Sequence, residues 1–272
     1  MTNEAPTDAQ LAKLLPGTID VVAAASRAIM EVYAGSHDVE YKEDDSPLTR
    51  ADKAAHRILA AGLARLAPKF PVLSEEAQDA HEFSVRGVWP TYWLVDPLDG
   101  TKEFINRNGE FTVNVALISD HRPVLGVVAA PALGFTYSAA RGFGAFKTEG
   151  NGSQQPIKVR PAASPLVVVG SRSHRGSSLD ALLAKIGPHE MRPMGSALKI
   201  CLVAEGAADF YPRLGLTSEW DTAAAQAVLE IAGGQLTMLD GTPLRYNERP
   251  DTLLNPHFLA SGDKNRNWTS LF

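Results

Sequence analysis

Asp96-Pro97-Leu98-Asp99-Gly100-Thr101 is the segment whose residue types and spacing point most directly to chemistry. The apolar run Thr91-Tyr92-Trp93-Leu94-Val95 predicts a buried strand that delivers Asp96 to a sheet edge, where a side chain can reach a ligand. Pro97 is expected to stop that strand. Asp99 follows three residues after Asp96, so the turn can bring both carboxylates to one point with the Leu98 carbonyl between them. Gly100 permits close backbone approach, and Gly100 and Thr101 should open a short helix whose free N–H groups suit a phosphate oxygen. Hard cations such as Mg²⁺ take oxygen ligands in octahedral geometry, and two carboxylates plus one carbonyl supply half of such a shell. Taken alone, Asp-x-x-Asp-Gly would read as an acidic turn that caps a helix. Three further acidic features argue otherwise: Ser74-Glu75-Glu76 after a predicted strand, Leu48-Thr49-Arg50-Ala51-Asp52 at a predicted helix start, and Glu219-Trp220-Asp221-Thr222-Ala223-Ala224 at another. Singly, Asp221 reads as a helix N-cap and Glu75-Glu76 as a solvated pair. Together they give carboxylates enough for two or three metal ions bridged by one phosphate.

The elements that must position these residues follow from periodicity. Residues 9–34 read as helical, with Ile19, Val22, Ala23, Ile29, Met30 and Val32 on the apolar side and Pro16 separating a leading turn from the main helix. Thr49 is placed to cap a helix that presents Ala55, Ile58, Leu59 and Leu63 to a core. Pro71-Val72-Leu73-Ser74 reads as a short strand. Residues 112–119 and 122–130 read as a hairpin turning at Asp120-His121, and Tyr137 to Phe146 as further β structure. In the second half, 166–169 reads as a strand, 177–185, 196–205 and 221–232 as helices, and Asp240-Gly241 as a hairpin turn. The polar stretch 150–156 marks a boundary between an N-terminal metal-site subdomain, 1–155, and a C-terminal substrate-binding subdomain, 156–272.

Composition bounds the function class. A chain of 272 residues suits one large α/β unit or two closely packed subdomains. Its 44% hydrophobic and 21% charged content is ordinary for a globular protein. A net charge of −5 argues against a nucleic-acid polymer as partner and leaves an anionic substrate to be drawn in by a local feature such as bound metal. The single cysteine, Cys201, lies in an apolar run and reads as a small buried hydrophobe in a reducing, cytoplasmic setting. The N-terminal residues lack the pattern of a signal peptide, and no apolar run has the roughly 20 residues of a membrane span. A homodimer and peripheral contact with the inner face of the cell membrane are both compatible with the sequence, which fixes neither.

Four motifs in order, Leu48-Thr49-x-x-Asp52, Glu75-Glu76, Asp96-Pro97-Leu98-Asp99-Gly100-Thr101 and Trp220-Asp221-Thr222-Ala223-Ala224, make nearly the whole chain resemble the lithium-sensitive, Mg²⁺-dependent phosphatases of the inositol monophosphatase superfamily. The resemblance implies an α/β (α+β) layered αβαβα sandwich of the sugar-phosphatase type and two or three Mg²⁺ ions. It implies metal ligands at Glu75, Asp96, the Leu98 carbonyl, Asp99 and Asp221. A Thr101–Asp52 pair would prepare the attacking water together with Glu75, and Gly100, Thr101 and Asp221 would meet the substrate. Ser74 departs from the glycine that many members carry there. After Thr101 the chain reads Lys102-Glu103-Phe104, which resembles the CysQ branch of 3'(2'),5'-bisphosphate nucleotidases. Gly170-Ser171-Arg172-Ser173-His174, Gly195-Ser196-Ala197-Leu198-Lys199 and Tyr211-Pro212-Arg213 lean the same way. By resemblance, Ser171, His174, Gly195, Ser196 and Lys199 hold the nucleotide, and Lys199 or Arg213 supplies a cation for a second phosphate away from the metals. The expected reaction takes adenosine 3',5'-bisphosphate, a by-product of sulfate assimilation, to AMP and phosphate. Inositol phosphates, fructose 1,6-bisphosphate or histidinol phosphate are rival substrates on the same fold, and a catalytically silent nucleotide-binding regulator is the rival of another class.

Overall fold

The computed structural model describes residues 5–35, 39–41, 47–77, 82–170 and 177–272, with backbone only at 39–41, 47–49 and 177. Helix α1 (Asp8–Ala34) and α2 (Arg50–Leu66) flank the short pair β1 (Val39–Tyr41) and β2 (Pro47–Thr49). There follow β3 (Val72–Ser74), α3 (Phe83–Arg86), β4 (Thr91–Asp99) and α4 (Thr101–Ile105). A run of five strands comes next: β5 (Thr112–Ser119), β6 (Arg122–Ala130), β7 (Phe135–Ala140), β8 (Gly144–Glu149) and β9 (Gln155–Pro156). The second half holds β10 (Leu166–Gly170), α5 (Ser177–Ile186), β11 (His189–Pro193), α6 (Leu198–Ala204), β12 (Phe210–Arg213), α7 (Glu219–Ile231), β13 (Gln235–Met238) and β14 (Phe258–Ser261).

Strands β3 to β9 form a seven-stranded sheet in sequence order, and β11-β10-β12-β14-β13 a five-stranded one. Alternation along the first sheet sorts its side chains onto two faces. Trp93, Val95, Val113, Val115 and Leu117 pack with Leu11, Leu15, Val22 and Leu59 of α1 and α2. Leu94, Ala116, Ile118 and Val128 pack with Ile200, Cys201, Ala224 and Val228 of α6 and α7, and the same core takes in Val169, Tyr211, Phe258 and Ala260 of the second sheet. The outer face of that sheet, Leu166, Val168, Phe210 and Leu259, meets Leu179, Leu182 and Leu183 of α5. The layers therefore run helix, sheet, helix, sheet, helix, which is the αβαβα sandwich expected. Helix α7 lies so close to the first sheet that a Cβ on Gly126 would run into the Ala224 carbonyl.

Most elements fall where the periodicity places them. The β5–β6 turn is made by Asp120 and His121, both left-handed, at φ 49° and 63°; that pair matches the twist of a two-residue hairpin. Cys201 is buried. Two expectations are corrected. Pro16 does not divide the first helix: α1 runs unbroken through it from a Thr7–Gln10 capping box. Leu11, Leu15, Thr18, Val22 and Ala25 are buried along one face on both sides of the proline, and that burial outweighs the roughly 3 kcal/mol a helical proline costs. Pro97 does not end β4. The ladder to β5 pairs Asp96 with Asn114 and Asp99 with Thr112, so Pro97 and Leu98 together face Val113. This is a bulge, where a missing N–H breaks no ladder bond. The expected Asp240-Gly241 hairpin turn is present: Gly241 N–H donates to the Met238 carbonyl, and the Met238 and Leu244 N–H groups donate to the Thr242 and Leu236 carbonyls across it, around the bridge Thr237–Pro243. Whether Thr49 caps α2 lies outside the described side chains.

Candidate active site

The β4 bulge turns Asp96 and Asp99 to the same side of the chain, and the first turn of α7 brings Asp221 to meet them. One oxygen from each of the three lies within 4.8 Å of the others. Asp96 is buried, and its Oδ1 accepts from the Leu98 N–H at 3.0 Å. Burial, then the charges of Glu75, Asp99 and Asp221, push its pKa well above the usual carboxylate range. Burial, then Asp99, does the same to Asp221, against a lowering pull from the Ser218 N–H. Asp221 is the third residue of α7 and completes a capping box with Ser218. Its Oδ2 accepts from the Ser218 N–H at 2.8 Å. Glu75 follows the end of β3, held by its N–H to the Val95 carbonyl.

Asp99 is the most elaborately held of the three. Its Oδ2 accepts from the Ala197 N–H at 2.6 Å and, more weakly, from Thr112 and Asn114 of β5. Burial raises its pKa to about 6; Lys199, the Ala197 N–H and Asn114 pull it down and Glu103 pushes it up. Gly100, left-handed at φ 90°, starts α4. The Thr101 hydroxyl reaches back to the Leu98 carbonyl at 3.5 Å. Asp52 is buried in the first turn of α2.

A cleft of about 150 Å³ opens on this cluster. Of the residues singled out in the sequence, Asp99, Gly100, Ser196, Lys199, Arg213 and Asp221 line it, with Glu103, Ile200, Tyr211, Thr217 and Phe258 among the others. The Ser196 hydroxyl is already engaged, donating to the Glu110 carbonyl at 2.7 Å, and Ser196 itself is left-handed at φ 45°. Gly195 is fixed by contact, since a Cβ there would sit 2.6 Å from the Glu110 carbonyl. Lys199 is buried beside the cluster, its Nζ 5.7 Å from the Tyr211 ring centre. Burial lowers its pKa, while Asp99 is the largest charge that raises it. Lys199 lines the cleft together with Asp99 and Asp221. Arg213 donates to the Leu216 carbonyl at 2.8 Å. Ser171 and His174 lie outside the described residues.

The sequence reading passed over Thr112, Asn114 and the Ala197 N–H. The first two had a signal: polar residues at alternate positions of an otherwise apolar strand, on the face that meets Asp99. It also missed a strap over residues 247–255 that fixes the start of α7. Glu219, fully buried, accepts from the Asn247 N–H at 2.8 Å and from Arg249 at 3.2 Å, and its own N–H donates to the Leu253 carbonyl. Burial raises Glu219 to about 7 in spite of these partners. Asn255 Nδ2 donates to the Ser218 carbonyl at 2.7 Å and to the Thr222 hydroxyl at 3.0 Å. The strap is anchored in turn by Arg86 of α3, which donates to Asn247 Oδ1 and to the Arg249 and Pro250 carbonyls.

Burial raises the pKa of all three carboxylates, and Asp99 adds to the rise at Asp96 and Asp221; such a group could hold a cation, and a donor set made only of oxygen fits Mg²⁺. The chain is similar to known proteins over most of its length. The model of the inositol monophosphatase family matches residues 10–270. The 3'(2'),5'-bisphosphate nucleotidase CysQ of Salmonella typhimurium is 53% identical over 236 residues, which is 86% of this chain and 94% of that protein. The CysQ of Escherichia coli is 52% identical over 239 residues, 87% and 95% of the two chains. The crystal structure of CysQ from Bacteroides thetaiotaomicron, a bacterial member of the inositol monophosphatase family, superposes with a TM-score of 0.81 at 39% identity, covering 93% of this chain and 97% of that one. The inositol monophosphatase from Anabaena shares the fold, with a TM-score of 0.72 at 24% identity over 97% and 96% of the two chains.

Proposed function

We propose, from the premise that the chain belongs to the inositol monophosphatase family, that it is a Mg²⁺-dependent phosphatase that takes adenosine 3',5'-bisphosphate to AMP and phosphate. The observation that carries this reading is the meeting of Asp96, Asp99 and Asp221, two of which, Asp99 and Asp221, line a cleft with Lys199 and Arg213. Identity above half with the CysQ nucleotidases supports the nucleotide as substrate.

In this reading Glu75, Asp96, the Leu98 carbonyl, Asp99 and Asp221 hold two or three Mg²⁺ ions. The ions supply charge neutralisation at the phosphate and a more acidic bound water. The Thr101 hydroxyl orients the attacking water, and Asp52 receives its proton through that hydroxyl. Gly100 and Thr101 offer backbone N–H groups to the phosphate at the start of α4. Ser171, His174, Gly195 and Ser196 border the nucleoside, and Lys199 and Arg213 face its second phosphate with charge-assisted hydrogen bonds. Residues 1–155 then carry most of the metal site and 156–272 most of the substrate site, with Asp221 crossing between them.

The test is phosphate release across a panel: adenosine 3',5'-bisphosphate, adenosine 3'-monophosphate, inositol 1-phosphate and fructose 1,6-bisphosphate, each with Mg²⁺ and with excess chelator. Activity should require Mg²⁺, be inhibited by Li⁺, and show its highest kcat/KM on the bisphosphate nucleotide. Full activity in chelator would sink the metal reading. A preference for inositol phosphate would sink the nucleotidase reading alone.

A further inference from the structure

Glu103 is the acidic residue of the cleft that the reaction above leaves without a task. It lies in the first turn of α4, and its side chain is pinned between two glycines. Its Cγ would sit 3.0 Å from a Cβ on Gly195, and its Oε2 3.3 Å from a Cβ on Gly100. The carboxylate therefore hangs over Gly100, where the proposed phosphate N–H groups begin, and it lines the cleft with Asp99 and Lys199. Among the described residues the carboxylate makes no hydrogen bond and no ion pair.

A carboxylate without a partner beside a bound phosphate is repulsive. Lys199, on which its charge acts, offsets part of that repulsion, and a cation or a hydrogen-bond donor of the substrate would offset the rest. A metal is disfavoured: Glu103 is not one of the three carboxylates that converge, and it already shares its surroundings with Lys199, on which its charge acts. A second cation there would meet the first. What remains is a neutral donor close to the scissile phosphate. In a 3'- or 2'-phosphorylated ribose that donor is the vicinal hydroxyl. We propose that Glu103 accepts a hydrogen bond from the sugar hydroxyl vicinal to the scissile phosphate and so makes this chain select ribose over deoxyribose. The inference rests on the bisphosphate nucleotidase reading.

The experiment measures kcat/KM for adenosine 3',5'-bisphosphate and for its 2'-deoxy analogue, in wild type, Glu103→Ala and Glu103→Gln. A hydrogen bond to a charged acceptor corresponds to about 10- to 150-fold in kcat/KM, so the wild type should prefer the ribonucleotide by at least about tenfold. Glu103→Ala should lose that preference by slowing on the ribonucleotide alone, with the deoxy rate no lower than in the wild type. Glu103→Gln keeps an acceptor oxygen and should retain part of the preference, which separates the hydrogen bond from bulk charge and guards against a misfolded alanine variant. Three outcomes would overturn the inference: a wild type indifferent to the hydroxyl, a preference unchanged in Glu103→Ala, or equal losses on both nucleotides. A raised Mg²⁺ requirement with the preference intact would make Glu103 a metal ligand instead. Failure of the wild type to cleave either nucleotide overturns the nucleotidase reading, and this inference with it.

Discussion

Thr101 and Asp52 come from different helices, α4 and α2, and only a shared task makes sense of reading them as a pair. If the hydroxyl and the carboxylate pass one proton, Thr101→Ala and Asp52→Asn should each lower kcat by about 100-fold or more with little change in KM. The double variant should be scarcely worse than either. Multiplying losses in the double variant would show two separate roles. At this scale, legibility followed chain distance. Asp96 and Asp99 sit in one short turn, and covalent geometry alone brings them together. Asp221 is more than a hundred residues away, and the sequence offered only a second acidic helix start and a resemblance to connect it. The Ala197 N–H had no signal at all, because every residue but proline carries one. Thr112 and Asn114 did have one, since two polar side chains on alternate positions of a buried strand must be facing something polar.

Between elements, the start of α7 is held by a network that no local pattern announces. Arg86, buried at the end of α3, ties Asn247, Arg249 and Pro250, and this strap in turn ties Glu219 and Ser218. Arg86→Met would orphan three acceptors and remove a positive charge near buried Glu219. The expected cost is about 3 kcal/mol or more in urea unfolding. The Mg²⁺ concentration for half-maximal rate should also rise, since Asp221 sits on the first turn of α7. Unchanged stability and unchanged Mg²⁺ dependence would mean that α7 holds itself. The long elements with clean periodicity, α2, β5, β6 and α7, were readable because one period ran through each. Pro16 and Pro97 misled because a local rule was overridden by tertiary facts: a buried stripe on both sides of the first and a bulge around the second. Strands β11 to β14 are four or five residues each, too short for a period to stand out.

At the scale of the whole molecule, the acidic cluster sets how stability answers to pH. Asp99 is raised to about 6, and Asp96 and Asp221 are raised too. Each binds a proton in the folded, metal-free chain at a pH where the unfolded chain has released it. The cluster's contribution therefore falls as pH rises from about 4 through these raised values. Glu219, at about 7, has the same sign; His56, lowered chiefly by burial, has the opposite one. Mg²⁺ should stabilise the chain most at pH 7.5, by several degrees in Tm, and least near pH 5, where protons hold the carboxylates. The difference in Tm between Mg²⁺ and chelator isolates the cluster from other titrating groups. A difference that does not shrink on acidification would remove the site from this role. The hydrogen bond from Ala197 to Asp99 carries one more consequence. The Asp99 carboxylate belongs to two parts of the site at once: its Oδ2 is held by the Ala197 N–H of the cleft wall, and one of its oxygens lies within 4.8 Å of Asp96 and Asp221. If the cluster holds the cation as proposed, whatever moves that wall alters the grip on it. By thermodynamic reciprocity the cation then alters the grip on the cleft's occupant by the same factor. An inhibitor that fills only the Lys199 side of the cleft would therefore have a potency that depends on how much magnesium is in the buffer.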